Sequence, residues 1–125
     1  MDADHIRQVY ERYPELFSKG DTDAVVELYA DDATIEDPIG SELRVGKEGV
    51  RAFYESTMGG AVMKRTGAVR IAGLEAACPF VCLIGPEGPD QKALDIISTM
   101  VFDESGKIKQ MRAYWSFDAM RSANE

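Results

Sequence analysis

The stretch QKALDIISTMVFDESGKIKQMRAYWSF, residues 91–117, reads as two long strands joined by a tight turn. Apolar residues alternate with others over 91–102 and again over 107–117, and Asp103-Glu104-Ser105-Gly106 supplies the turn chemistry between them. On the first of these strands, alternation puts Leu94, Ile96, Ser98, Met100 and Phe102 on one face, opposite Ala93, Asp95, Ile97, Thr99 and Val101. On the second, Lys109, Met111, Ala113, Trp115 and Phe117 share a face, opposite Ile108, Gln110, Arg112 and Tyr114. Ser98 is then the lone polar group on an apolar face. Upstream, strands are expected near 62–72 and 76–85, bounded by Gly73 and by the run Gly85-Pro86-Glu87-Gly88-Pro89.

The N-terminal half has the other periodicity. Ile6, Val9, Tyr10, Tyr13, Leu16 and Phe17 recur at helical offsets until Gly20 stops the helix. Asp21 is a good N-cap for a short second helix with Val25, Leu28 and Tyr29 on one face. A β-like segment, Ala33–Asp37, ends at Pro38, which holds Asp37 extended. A third helix is expected from about Lys47 to Ser56, with Val50, Phe53 and Tyr54 inward and Gly59-Gly60 closing it. Helices first and an antiparallel meander afterwards argue an α+β fold, its helices packed on one face of a curved sheet. The 125 residues, 45% hydrophobic, suit a single domain over 1–125.

Charge and composition exclude several functions. A net charge of -8, with 14 basic residues scattered along the chain, disfavours nucleic acid. The opening MDADHIRQVYERY lacks an apolar run, and no segment is apolar enough to span a bilayer, so a cytoplasmic protein is expected with no membrane partner. Cys78 and Cys82, four apart on a strand, are separated by roughly 13 Å and cannot pair, which leaves two buried thiols. The acidic run Asp31, Asp32, Glu36 and Asp37 lacks the glycine and spacing of a calcium loop, and alternation splits it across faces, so no metal is expected.

Two features carry possible chemistry. Tyr13, Tyr29 and Tyr54 each occupy the apolar face of a different helix, so that three phenolic hydroxyls, each needing a partner, could meet inside. They serve either as satisfied core residues or as donors to a ligand in a cavity between helices and sheet. Asp37, between Ile35 and Pro38-Ile39, points either into a turn or into apolar surroundings, where desolvation would make it a stronger base.

The chain closely resembles the bacterial ketosteroid isomerases, or steroid Delta-isomerases, of the cone-shaped α+β barrel superfamily. The resemblance rests on Glu11-Arg12-Tyr13, on Tyr29-Ala30-Asp31-Asp32-Ala33-Thr34 followed by Glu36-Asp37-Pro38, and on Phe53-Tyr54. It continues through Ala93-Leu94-Asp95, Phe102-Asp103-Glu104, Met111 and Ala113-Tyr114-Trp115, covering about Ile6 to Phe117. It implies a strongly curved antiparallel or mixed sheet with a deep apolar cavity, and isomerisation of 3-oxo-Δ5-steroids to their Δ4 isomers without a cofactor. By resemblance, Asp37 is the general base, Tyr13 the oxyanion donor, and Tyr29 and Tyr54 its support. Trp115, Phe53, Phe80 and Met111 fall on positions at or near the steroid. Ser98 stands where the family has a protonated Asp as second oxyanion donor, and a hydroxyl keeps one donor there. A homodimer formed through the sheet is also implied. Competing readings are another enzyme of the barrel class, such as an epoxide hydrolase or cyclase, and a non-catalytic barrel binding a hydrophobic ligand.

Overall fold

The structure, a computed structural model, describes residues 2–125. Helix α1, Ala3–Lys19, is capped by the Asp2 carboxylate, which accepts from the His5 N–H at 3.0 Å. It ends at Gly20, whose left-handed backbone (φ 71°) lets its N–H reach the Leu16 and Phe17 carbonyls. Helix α2, Thr22–Glu27, starts on an Asp21 cap as expected. Strands β1, Tyr29–Glu36, and β2, Arg44–Val45, then lead into helix α3, Gly46–Thr57. The rest is sheet: β3, Ala61–Arg65; β4, Arg70–Ala72; β5, Glu75–Ile84; β6, Lys92–Phe102; β7, Ile108–Tyr114; and, after a 3-10 turn at Phe117–Ala119, β8, Arg121–Ser122.

The main sheet order is β2-β1-β7-β6-β5-β3, with β4 added to β5 and β8 to β6. Only β1 and β7 run parallel, so the sheet is mixed. The three helices pack against it, and their buried stripes, among them Tyr10, Tyr13, Phe17, Val50 and Phe53, meet the inner faces of β1 and β5–β7 in one core. Inward positions on β6 are those that alternation assigned: Leu94, Ser98, Met100 and Phe102 are buried, while Asp95 and Ile97 are exposed. Among the described residues, no helix is long and apolar enough to cross a membrane.

Three local expectations are corrected. Tyr29 opens β1 instead of extending α2, because the returning β7 captures the backbone there: the Ile108 N–H donates to the Leu28 carbonyl at 2.9 Å. The strand expected over 62–72 is two strands. Pro79 of β5 has no N–H to continue the ladder, and Gly67 crosses so close to its ring that a Cβ would lie 2.9 Å from Pro79 Cγ. Pairing therefore stops at Arg65–Phe80 and resumes at Arg70–Ala77. Ile108, expected beside Gln110 and Arg112, is fully buried. Register shifts between Val101–Gln110 and Phe102–Ile108, so Lys109 is an extra residue, and this bulge turns Ile108 inward.

The turn between β6 and β7 is tied to α1. His5 Nε2 donates to the Gly106 carbonyl at 2.7 Å, and Gly106, at φ 94°, has no room for a side chain: a Cβ would stand 2.8 Å from that nitrogen. Gly106→Ala should therefore cost about 1–3 kcal/mol, through strain at positive φ and loss of the contact. Thermal unfolding would show it as a drop of several degrees. In a His5→Ala background the drop should shrink, since the contact is already gone.

Candidate active site

Between the helices and the sheet lies a cavity of about 470 Å³, well within the range of small-molecule sites. Its wall is largely apolar, with Phe17, Phe53, Ala61, Met63, Leu94, Ile96, Trp115 and Met120, and Tyr13 and Asp37 open onto it. The sequence thus folds two candidate groups from different elements, Tyr13 on α1 and Asp37 just past β1, onto one hollow.

Asp37 is placed by the parallel β1–β7 pair. Ile35 pairs with Met111 and Glu36 with Arg112, and beyond the strand end the Ile39 N–H donates to the Ala113 carbonyl at 2.9 Å. The two chain ends therefore leave the sheet together, and Trp115 Nε1–H donates to Asp37 Oδ1 at 2.5 Å. Burial raises the Asp37 pKa above its ordinary value, and the Trp115 hydrogen bond offsets this only in part. Glu36 faces the other way, accepting from the Gly40 N–H at 2.8 Å and pairing with Arg112 at 3.2 Å, and its pKa is lowered by those bonds, the Gly40 one foremost. Asp31 and Asp32 are exposed on an irregular part of β1, so the acidic run does not converge.

The three tyrosines do meet. Tyr54 lies between the others, 2.8 Å from the Tyr13 hydroxyl and 2.5 Å from that of Tyr29. All three are buried, Tyr29 and Tyr54 completely. Each phenol has one hydrogen to give. Tyr29 is the closed end of the row, with Tyr54 as its hydroxyl's sole partner among the described residues, so satisfying its hydrogen requires donation to Tyr54. Tyr54 then donates to Tyr13, and the Tyr13 hydrogen is left for the cavity. Burial pushes the Tyr13 phenol far up; the Tyr54 hydrogen bond pulls it back, and the nearby Asp37 charge adds to the rise. Tyr13 is thus a neutral donor throughout the ordinary pH range.

Of the four residues expected at or near the steroid, Trp115 and Phe53 line the cavity itself, whereas Phe80 and Met111 lie outside its lining. Phe80 sits behind the wall, its ring 6.0 Å from Tyr10 and 6.1 Å from Tyr13, and Met111 is core beneath β7. Ser98 also lies behind the wall. It is buried on the inner face of β6, opposite Cys78, and its Oγ is the buried side-chain polar atom without a hydrogen-bond partner among the described residues. Its polar neighbour is Tyr10, whose hydroxyl reaches the Ala76 carbonyl at 3.5 Å. Cys82, read as a structural thiol, instead lines the cavity, and burial, with the Asp37 charge, pushes it up to about 11. Its place was implicit in alternation, since Cys82 pairs directly with Leu94 of the inward β6 face. Phe117, on the Trp115 side of the alternating stretch, also reaches the cavity, as do Arg44 and Met120 from segments whose sequence carried no periodic signal.

Residues 10–111 match the model of the SnoaL-like domain family. A steroid Delta-isomerase of Nocardioides simplex is 34% identical over 111 residues, covering 89% of each chain. The epoxide hydrolase LasB of Streptomyces lasalocidi is 29% identical over 121 residues, 92% of this chain but 43% of that protein, so the chain spans less than half its length. A solved structure of SalBIII, an epoxide hydrolase/cyclase-like enzyme of pyran ring formation in the polyether salinomycin, superposes with a TM-score of 0.85. That likeness covers 98% of this chain and 99% of the other at 23% identity, and it speaks for the fold. With three helices on a curled mixed sheet, and a match spanning most of its length, the chain belongs to the SnoaL-like domain family as a ketosteroid-isomerase-like protein.

Proposed function

We propose that the protein is a steroid Delta-isomerase that moves a double bond from Δ5 to Δ4 in a 3-oxosteroid by proton transfer from C4 to C6. The observation that carries this reading is the pairing, in one apolar cavity, of a carboxylate made more basic by burial with a phenol whose hydrogen is free to donate. Asp37 takes the C4 proton as the Tyr13 hydroxyl donates to the C3 oxygen, on which charge collects. The dienolate is then protonated at C6 by the same carboxyl group, so atoms and charge balance over the cycle with no cofactor. Apolar walls suit a polycyclic hydrocarbon skeleton, and they exclude water from the dienolate. The likeness to the Nocardioides simplex isomerase over 89% of both chains supports the same reading.

Ser98 is given a secondary role here. Its buried hydroxyl lies beside Tyr10 and does not line the cavity, so Tyr13 is the primary donor and Ser98 acts on the substrate only where a ligand displaces the wall between them. Epoxide hydrolysis or cyclisation is the second reading, favoured by the likeness to LasB. It needs a positioned water, and Tyr13 and Asp37 are the convergent polar groups available deep in the cavity. We further infer a homodimer through the outer sheet face, where Ile97 and Tyr114 pair across strands while each remains nearly half exposed.

Conversion of 5-androstene-3,17-dione to its conjugated isomer, followed by ultraviolet absorbance, tests the reaction. Turnover should fall about 100- to 10,000-fold in Asp37→Asn and about 100- to 1,000-fold in Tyr13→Phe. No turnover by the folded, unmodified protein would overturn the isomerase reading.

The pH profile of kcat/KM should show one rising limb, set by deprotonation of Asp37, and no alkaline fall from Tyr13 below pH 10. Trp115→Phe removes the hydrogen bond that favours the charged carboxylate, so the limb should move to higher pH. An unmoved limb would show that another group governs it.

Asp37 also makes a stability prediction. Because its folded pKa lies above the ordinary 3.8, native protein binds more protons than unfolded chain between the two values, and stability falls as pH rises through the folded value. Asp37→Asn should therefore melt higher than the unmodified protein at pH 7, with the difference vanishing below pH 3.8. Equal melting temperatures at pH 7 would contradict the buried, charged base.

A further inference from the structure

We propose that Arg44 forms a carboxylate-binding subsite at the mouth of the cavity, so that the preferred steroid carries an acid group at the end remote from its enone; this rests on the isomerase reading above. Arg44 is the sole basic residue among those lining the cavity. Its guanidinium carbon stands 5.9 Å over the Phe53 ring, within cation–π reach, a contact that uses none of the N–H donors of its planar fork.

That fork has no protein partner. Among the described residues, the ion pairs of the arginines are Arg7–Asp4, Arg51 with Asp23 and Glu55, Arg112–Glu36 and Arg121–Asp95. Arg44 makes none, although the chain carries 22 acidic residues against 14 basic ones. Glu42, the other charged residue at the rim, is exposed and does not pair with it. Arg12, Arg65 and Arg70 are likewise without an ion pair, but Arg44 is the one of these four that lines the apolar cavity, where its open donors face whatever enters.

The backbone holds Arg44 firmly. It pairs with Ile35 across β1–β2, and α3 packs directly on it at Gly49, where a Cβ would lie 3.2 Å from the Arg44 carbonyl carbon. Arg44 and Asp37 thus hang from the same strand pair, while the Tyr13 hydroxyl is reached through the buried tyrosine row. A polycycle with its 3-oxo group on Tyr13 would extend its far ring toward the rim. A carboxylate there meets a bidentate partner, which a ketone or hydroxyl does not match.

The test compares kcat/KM for 3-oxoandrost-5-ene-17β-carboxylate with that for 5-androstene-3,17-dione, in the unmodified protein, Arg44→Leu and Arg44→Lys. The ratio of acid to dione should fall about 10- to 100-fold in Arg44→Leu, the value of a charged hydrogen-bonded pair, chiefly through KM. Arg44→Lys should recover part of it, keeping the charge and losing the fork. An unchanged ratio with both steroids turned over would overturn the subsite and leave the isomerase reading standing. A separate arm needs no turnover: quenching of Trp115, the single tryptophan, by 3-oxoandrost-4-ene-17β-carboxylate gives its affinity directly. If neither steroid isomerises but Arg44→Leu weakens binding of this acid about 10-fold or more, the isomerase reading falls and the subsite stands. If the acid binds equally to both proteins, the subsite falls.

Discussion

A carboxylate inside an apolar cavity loses its hydration, and the organisation of this molecule follows from holding one there. Desolvation outweighs the single hydrogen bond that Trp115 offers Asp37, so the charged form is left at a disadvantage and the group becomes a better base. One residue earlier, Glu36 meets the opposite treatment. It lies on the outer face, takes a backbone N–H and an arginine, and is held as a stable anion. The two-residue period of a strand thus separates an ion-paired, outward acid from a desolvated one at the cavity over a single step of chain.

The tyrosine row solves a complementary problem. Three hydroxyls in a row carry three hydrogens but only two links, so one hydrogen must point out of the row. Because Tyr29 closes one end against the β1–β7 backbone, the surplus falls at Tyr13, where the cavity begins. The direction of the chain is set by its blind end, and the donor needs no mobile group to orient it. Deep burial keeps all three phenols neutral.

Much of this was legible in the sequence, for particular reasons. The Asp21 cap, the Gly20 stop and the alternation of β6 are local signals, and local structure obeyed them. Asp37, Tyr13, Tyr29 and Tyr54 stood out as polar groups in apolar surroundings and took their roles from the family resemblance, while their actual convergence is a tertiary fact that periodicity alone could not supply. What failed depended on partners distant in the chain. The break between β3 and β4 is caused by Pro79 on another strand, and the inward turn of Ile108 by a register shift against β6. The two-residue strands β2 and β8 have no pattern to read, yet β2 carries Arg44 to the cavity. Alternation could not say which of Phe80, Met111 and Trp115 reach the cavity itself, because buried and cavity-facing positions share one face of a strand and only depth distinguishes them.

The parallel pairing of β1 with β7 has a consequence for how the molecule comes into being. Asp37 and Trp115 are 78 residues apart in the chain, and the strands that bring them together can meet only after β7, near the C-terminal end of the described fold, has been made. Contacts of such long range come late and slow the search for the native topology. During synthesis, a ribosome that has released the helices and the first five strands holds a chain with the base, the phenol row and an incomplete barrel. The pocket closes around its acid only when the last third of the polypeptide, which carries β6 and β7, has arrived, so a complete cavity and a complete chain appear together.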